Sequence, residues 1–502
     1  MRDTGPIIST NAIDKKDTSG TDTGPIVSTN TIDKKDTDTG PIVSTSTKCK
    51  QDISGPNAGA IISLNAIGKQ DTYLIENEPK KSFFNYDPKR HSNFTKFHKS
   101  TIINKPGNAS TNWPFGESIT VTLDPRNMGD LLSNMYISIE LPALTTGTTF
   151  NYSDQVGRHI IKQITMRVDD LVIENYHADW GIIYDELYLD ESEKRTKRYT
   201  LNRNLAEDTS THSVNKQFSK YKSRVFIPIP LFFSRKYESD EYETNKPNRP
   251  YFPTCAIHKQ KIQFVIDFYP QTFFTDESST LSLSSFDIIT EEISLNSTER
   301  TYIKNNKHEF ITDIVQKHPS LLIKAGQQDI SLELVPKVPV KTLNWFLRNT
   351  TYENENIARG SGFTDSTDDR IYHFHNRFNL SSNVLYENKN EFYYPPLSSA
   401  KIYINGEDIP GFQDTDHKYY KYTVPLSSRL SRPIRNIYTY AFSMNPINVE
   451  PSGSLDFTNL KSNRTKINIK MVNNLTDNYN LHLYYVGYQT FTFENGIMTR
   501  AY

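Results

Sequence analysis

Lys261-Ile-Gln-Phe-Val-Ile-Asp-Phe268 sets Ile262, Phe264, Ile266 and Phe268 against Lys261, Gln263 and Asp267. A period of two gives an extended chain one apolar face and one wet face, which is the signature of a half-buried strand. The same alternation occurs at Ile119, Val121 and Leu123 against Ser118, Thr120 and Thr122, and at Ile137, Ile139 and Leu141 against Tyr136, Ser138 and Glu140. It returns in the second half at Ile402 and Ile404, at Ile467, Ile469 and Met471, at Leu481, Leu483 and Tyr485, and at Phe491 and Phe493. Asn405-Gly406 and Asn495-Gly496 supply hairpin turn chemistry, because both residues tolerate positive φ. Many antiparallel strands at this spacing predict sandwiches or jelly rolls rather than a parallel α/β sheet.

Two interruptions read as helical. Trp180, Ile183, Tyr184, Leu187 and Tyr188 recur at helical spacing, and Phe310, Ile311, Ile314 and Val315 suggest a shorter amphipathic pair of turns. Tyr (30) and Phe (27) are abundant while hydrophobic residues total 36%, a mix suited to half-exposed strands. At 502 residues the chain is long enough for a few large all-β domains.

Lys and Arg (57) balance Asp and Glu (58), so no global field draws the chain to nucleic acid or an anionic membrane, and no direct nucleic-acid binding is expected. The two cysteines, Cys49 and Cys255, cannot supply a disulfide framework or a thiolate zinc site, and a reducing compartment suits them. The longest greasy stretch, Val225 to Phe233, is far shorter than the ~20 residues of a spanning helix, and the opening residues carry no apolar signal. A soluble, unsignalled chain is the expectation.

Residues 1–72 repeat themselves. Related units start at Thr4 (TGPIISTNAIDKKDT), Thr23 (TGPIVSTNTIDKKDT), Thr39 (TGPIVSTSTKCKQD) and Ala58 (AGAIISLNAIGKQDT). So few aliphatics per unit cannot offset the chain entropy of folding, which predicts a disordered arm over 1–57, with a short solenoid as the alternative. The fourth unit, 58–72, leads into the folded body. The expected division is then 73–272 for the first β domain, a polar linker at 273–285, and 286–502 for the second.

A search for chemistry finds no nucleophile elbow, phosphate loop or HExxH pattern. His373 and His375 share a strand face, but no acidic or thiol partner marks a metal site beside them. Asp169-Asp170 and Asp185-Glu186 are adjacent carboxylates, yet neighbours diverge on a strand or a helix, so turn or solvated roles fit better than an acid and base pair. The charge run Asp190 to Arg198 reads as a solvated helix end.

An ordered series of phrases carries the strongest signal. GAIISLNAIGKQDTYL and FFNYDPKRHSNF (59 to 94) come first, then Gly129-Asp130-Leu-Leu132 before a strand ending Leu141-Pro142. Arg158 to Trp180, Pro228-Ile-Pro-Leu-Phe-Phe233 and LNSTERTYIKNNKHEFITDIVQ (295 to 316) follow. Val340 to Trp345, Ile404-Asn405-Gly406-Glu-Asp408, Tyr440-Ala-Phe442 and Pro451-Ser452-Gly453-Ser-Leu-Asp-Phe457 come next, with Asn478-Tyr-Asn480 leading to the last strands. This series resembles the double-jelly-roll major capsid proteins of nucleocytoplasmic large DNA viruses.

The resemblance implies an all-β protein of two consecutive eight-stranded antiparallel jelly rolls, with a few short helices and a flexible N-terminal arm. It implies a structural subunit of an icosahedral shell that forms pseudo-hexameric homotrimers and meets neighbouring capsid proteins. It implies no enzyme activity, no cofactor and no metal, and a place in the virion shell after synthesis in host cytoplasm. The arm would reach minor capsid proteins or an inner membrane layer. Gly129, Asp130, Trp180, Trp345, Asn405, Gly406, Pro451, Ser452 and Gly453 are the family-motif residues, all read as structural. Gly129-Asp130 suits a tight turn, Pro451 to Gly453 suits a turn between strands, and Trp345-Phe346 suits one ring in a core and one at an interface. The chain departs from the family pattern in the long charged segment after Phe233, and in Glu450 and Asp456 around the Pro-Ser-Gly turn. A carbohydrate- or receptor-binding β-sandwich of the virion surface is the alternative.

Overall fold

A computed structural model of the chain describes residues 68–70, 91–103, 113–144, 152, 156–201, 222–236, 250–275, 277, 279–283, 285–355, 395–412, 415–448, 450–473 and 475–501. The chain divides into two compact units, Met1–Lys89 and Arg90–Tyr502. In the first unit only the exposed turn at 68–70 is described, so the repeats at 1–57 lie outside the described residues.

Eight strands build the first sandwich: β1 (Phe94–Ile102), β2 (Ser118–Leu123), β3 (Leu131–Leu141), β4 (Ile161–Val168), β5 (Leu171–His177), β6 (Ser223–Pro228), β7 (Ile262–Phe268) and β8 (Ser285–Leu295). They form two antiparallel sheets in the orders β1-β8-β3-β6 and β2-β7-β4-β5. The second sandwich uses β9 (His308–Lys317), β10 (Leu321–Ile323), β11 (Asp329–Glu333), β12 (Val340–Asn349), β13 (Leu397–Ile404), β14 (Glu407–Asp408), β15 (Tyr438–Ala441), β16 (Lys466–Met471), β17 (Tyr479–Glu494) and β18 (Ile497–Arg500). One sheet runs β10-β17-β12-β15 with β9 and β18 also on β17, and the other runs β11-β16-β13-β14.

β10 meets β17 at Tyr479 to Leu481 and β9 meets it at Tyr484 to Phe493, both on the flank away from β12. β9 and β10 therefore share one place in the sheet. Counted so, both sandwiches have the order first-eighth-third-sixth facing second-seventh-fourth-fifth, the jelly-roll arrangement.

Local chemistry sets the hairpins. Asn405-Gly406 joins β13 to β14 and Asn495-Gly496 joins β17 to β18, all four residues at positive φ, as a two-residue turn between twisted strands requires. Asp169, also at positive φ, turns β4 into β5, and its carboxylate accepts from the Lys261 amide at 2.9 Å.

Two sequence expectations are corrected. Phe310, Ile311, Ile314 and Val315 lie on strand β9, paired with β17 from Phe310↔Phe491 to Val315↔Val486. Thr312 to Val315 are consecutively buried because this strand is covered on both faces, so its apolar pairs on either side of Thr312-Asp313 fall by chance at helical spacing. The second concerns the domain boundary. The strand from Ser285, expected to open the second domain, is hydrogen-bonded between β1 and β3 and completes the first sandwich. The helix Ser297–Asn305, capped by the Asn296 side chain on the Glu299 amide at 2.8 Å, makes the passage between sandwiches.

The second sandwich encloses a core that includes Leu343, Trp345, Leu347, Tyr420 and Leu483. The first core is larger. It runs from Ile137, Ile164 and Phe264 to Phe346, Tyr484 and Phe491 of the second sandwich, so apolar packing is continuous across the junction.

Candidate functional site

Val340-Lys-Thr-Leu-Asn-Trp-Phe-Leu-Arg-Asn349 forms β12, and all ten residues are buried. Leu343, Trp345 and Leu347 point into the second core. The alternate residues Thr342, Phe346 and Arg348 meet the first sandwich instead. A strand interior to one sandwich is thus also the floor of a junction.

The helix Ala178–Leu187, in the connection between β5 and β6, lies on that floor. Asp179 accepts from Arg348 Nη2 at 2.6 Å and Nη1 at 3.2 Å, a bidentate pair with both partners buried. Trp180 packs its ring against Tyr484 and Tyr188, with centroids 6.2 and 6.0 Å apart. Tyr188 Oη and Thr342 Oγ1 lie 3.4 Å apart. At the far end, Glu186 takes the Arg435 guanidinium and accepts from the Ile434 amide at 2.7 Å, while the Leu187 carbonyl accepts from the Ser431 amide at 2.8 Å.

A second tier of charges holds the helix from behind. Buried Arg158 donates to Asp185 at 2.9 and 3.0 Å, to the Tyr176 hydroxyl at 2.8 Å and to the Pro228 carbonyl at 2.9 Å. A Cβ on Gly181 would collide with the Tyr176 hydroxyl, so glycine permits this approach. Lys197 closes on Asp185 at 2.6 Å. Arg235 pairs with Glu174 and donates to the Asp313 carbonyl of β9 at 2.7 Å, and Asp313 in turn pairs with buried Lys341. Such pairs set geometry more than stability, since desolvation cancels much of the Coulomb gain, but removing one partner leaves a buried charge.

Burial and neighbours shift the ionisable groups here. Burial opposes ionisation of Glu353, but the Arg348 charge and a hydrogen bond with His482 at 2.6 Å outweigh it and hold the carboxyl at about 2. His482, stacked on Phe346 with centroids 4.9 Å apart, is pushed below its ordinary value by burial. His177, edge-on to Tyr484, falls to about 4 through burial first and the Lys317 charge second. Burial raises the Tyr176 phenol to about 12 and lowers Lys197 and Lys341.

Of the motif residues, Trp180 sits in the junction and Trp345 in the second core. The Gly129 amide donates to Glu292 at 2.6 Å, and a Cβ there would stand 2.9 Å from Glu292 Cβ. Asp130 accepts from the Leu295 amide at 2.8 Å and from Arg300 at 2.7 and 2.8 Å, tying the β3 entry to the helix Ser297–Asn305. Asn405-Gly406 is an exposed hairpin tip. Around Pro451 to Gly453, Ser452 Oγ donates to the Asn445 carbonyl at 2.9 Å, its carbonyl accepts from the Met444 amide at 3.1 Å, and Gly453 adopts φ +128°.

The adjacent carboxylates do not form an acid and base pair. Asp185 answers Arg158 and Glu186 answers Arg435 on different sides of one helix, and neither is the solvated group that the sequence suggested. The charge run opens the helix Glu191–Leu201 with Asp190, Glu191 and Arg195 exposed, while Lys194 and Lys197 turn inward. Asp190 and Glu193 form a reciprocal capping box at 2.7 and 3.1 Å, and Lys194 donates to the Arg432 carbonyl at 2.8 Å. His373 and His375 lie outside the described residues. Among the described residues no group of three or more His, Cys, Asp or Glu is placed to hold a metal, and no helix is long and apolar enough to cross a membrane. Sequence reading missed Arg158, Lys341 and Arg348; the available signal was a charged residue inside an otherwise apolar strand such as 340–349.

Two sandwiches of one strand order, joined through a buried face, define a double-jelly-roll protein. The family described as major capsid protein N-terminus matches residues 82–304, and that of the large eukaryotic DNA virus major capsid protein matches residues 299–499. The chain belongs to the major capsid protein family of large eukaryotic DNA viruses, a family of structural proteins rather than enzymes. It is 24% identical over 407 residues to the major capsid protein of Paramecium bursaria Chlorella virus 1, covering 77% of this chain and 82% of that one. It is 21% identical over 484 residues to the major capsid protein of Phaeocystis pouchetii virus, covering 77% and 88%. The subunit in a quasi-atomic structure of the PBCV-1 virus capsid shares the fold at TM-score 0.64 and 18% identity, covering 84% of this chain and 100% of that one. The Faustovirus major capsid protein does so at TM-score 0.58 and 10% identity, covering 84% and 94%. A carbohydrate- or receptor-binding role is not favoured by these relatives.

Proposed function

We propose that this chain is a structural subunit of an icosahedral large DNA virus capsid and that three copies close into a pseudo-hexameric trimer that tiles the shell. The observation that carries the reading is the repeated strand order: two sandwiches of equal topology in each chain let three chains present six similar blocks. A ring closes by cyclic symmetry when each subunit offers two different, complementary faces. The buried ion pairs of the junction suit this role, because they fix the angle between blocks on which closure depends. Light scattering of the purified full chain over a range of concentrations tests it. The expected mass is three times 57.8 kDa, and a strict monomer at every concentration overturns the trimer.

In this reading neighbouring capsid proteins are the further partners, and the arm at 1–57 reaches minor capsid proteins or an inner membrane layer. Repetition and polarity support that role for the arm. Deleting residues 1–57 should leave trimers intact and impair shell assembly; normal virions from the deletion would remove the idea.

A further inference from the structure

We infer that Asn495 is a site of spontaneous deamidation, and that its conversion to isoaspartate loosens the C-terminal hairpin where that hairpin fastens the second sandwich to the first. Two turns of the same sequence stand in unequal surroundings, whatever number of chains assembles.

Asn-Gly suits this chemistry because a glycine amide carries no side chain to shield it. The Gly nitrogen attacks Asn Cγ, the new N–Cγ bond replaces Cγ–Nδ2, and ammonia leaves with the amide proton. Water then opens the cyclic imide at either carbonyl to give aspartate or isoaspartate. The sum is amide plus water to acid plus ammonia, with no oxidant or reductant. The chain holds two such doublets, Asn405-Gly406 and Asn495-Gly496. Each is the turn of a two-stranded hairpin, with both residues at positive φ.

Asn405-Gly406 is locked against the reaction. The Gly406 amide, the nucleophile, donates to the Arg464 carbonyl at 2.9 Å, and Asn405 Oδ1 accepts from the Lys461 amide at 3.1 Å. Both bonds must yield before nitrogen and Cγ meet. At the other turn, neither the Asn495 carboxamide nor the Gly496 amide has a hydrogen-bond partner among the described residues. Only the Gly496 carbonyl is engaged, by the Lys259 amide at 3.3 Å. The Asn495 side chain is exposed, so water reaches it and ammonia can leave.

Isoaspartate adds one carbon to the main chain in a turn that has none to spare. Gly496 is buried, and His258 Cε1 lies 2.6 Å from where a Cβ would stand, so a lengthened chain must move off that ring. The same hairpin sends Phe491, Phe493 and Met498 into the first core. It also ties itself there through the Met498 amide on Gln260 Oε1 and Arg500 on the Val172 carbonyl, both at 2.6 Å. A swollen turn pulls β18 from these partners.

The test ages the full chain in mildly alkaline buffer, with and without concentrated urea, and follows both doublets by peptide mass spectrometry. In the folded chain the acid and isoaspartyl products should build up about tenfold or more faster at Asn495 than at Asn405, the rate equivalent of two ordinary hydrogen bonds. In urea the two rates should converge, since the doublets are chemically alike. Equal rates in the folded chain, or a faster Asn405, would overturn the site. Hydrogen-deuterium exchange reads the consequence: the Met498 amide should exchange faster in isoaspartyl chain than in fresh chain. Freshly prepared Asn495→Asp, which changes the charge without lengthening the main chain, should match fresh chain. Met498 protection that survives isoaspartate formation would sink the loosening of the hairpin.

Discussion

β3 and β12 hold the same position in their sandwiches, third in order and hydrogen-bonded to the eighth strand. β3 alternates, with Asn134, Tyr136 and Glu140 half-buried on the outward side, whereas β12 is buried throughout. Their outward residues are similarly polar, Asn134, Tyr136, Ser138 and Glu140 in one and Thr342, Asn344, Phe346 and Arg348 in the other. Polarity therefore does not say which face is wet. A covering helix decides it, and it is tolerated because Asp179 meets Arg348 where water otherwise would.

The largest effect that could break this contrast is on the charges. Arg348→Ala strands Asp179 and part of Glu353 in the junction and should cost about 3–5 kcal/mol in chemical denaturation. Arg224→Ala on the outward face of the first sandwich, where the side chain is 39% exposed, should cost under about 1 kcal/mol. Equal losses would mean that the two faces are not energetically distinct.

Acid should weaken the covered face next. His177 and His482 are held below their ordinary value in the folded chain, so the unfolded chain binds their protons more readily. Their contribution is intact above about pH 6.5 and is lost as pH falls below it, for His177 down to about 4. The unfolding free energy from urea denaturation should drop between pH 7.5 and 4.5 by an amount on the order of 2 kcal/mol, and His177→Gln should flatten that slope. An unchanged slope in the variant removes His177 from the account.

Gly181→Ala should cost about 1–3 kcal/mol by forcing Tyr176 from Arg158, seen as a lower thermal midpoint. Gly406→Ala is the smallest, about 1 kcal/mol, because φ is +96° there while nothing lies within 4 Å of an added Cβ. A larger loss at Gly406 than at Gly181 would reverse the ranking of junction over surface turn.

Much of the fold was legible. β2, β3, β7, β13, β16 and β17 follow from alternation, and the Asn-Gly hairpins from backbone tolerance, because both are properties of adjacent residues. β9 was misread as helix since burial on two sides erases the period of two that marks a strand. The strand at 285–295 was placed across the wrong boundary because a polar linker before it looks the same whether the next strand pairs forward or back to β1. Of the junction, the helical face carrying Trp180 and Tyr188, and Phe346 beside Trp345, were visible; Asp185 and Glu186 were noticed as carboxylates without their arginines.

The sequence by itself determined the sandwiches, their turns and the family, since alternation, positive-φ turns and ordered phrases are local or linear signals. Only the tertiary structure decided that Arg348 meets Asp179, 169 residues away, and that Glu186 meets Arg435, 249 residues away. A charge finds its buried partner through the relative placement of two sheets, and no periodicity in the chain encodes that distance.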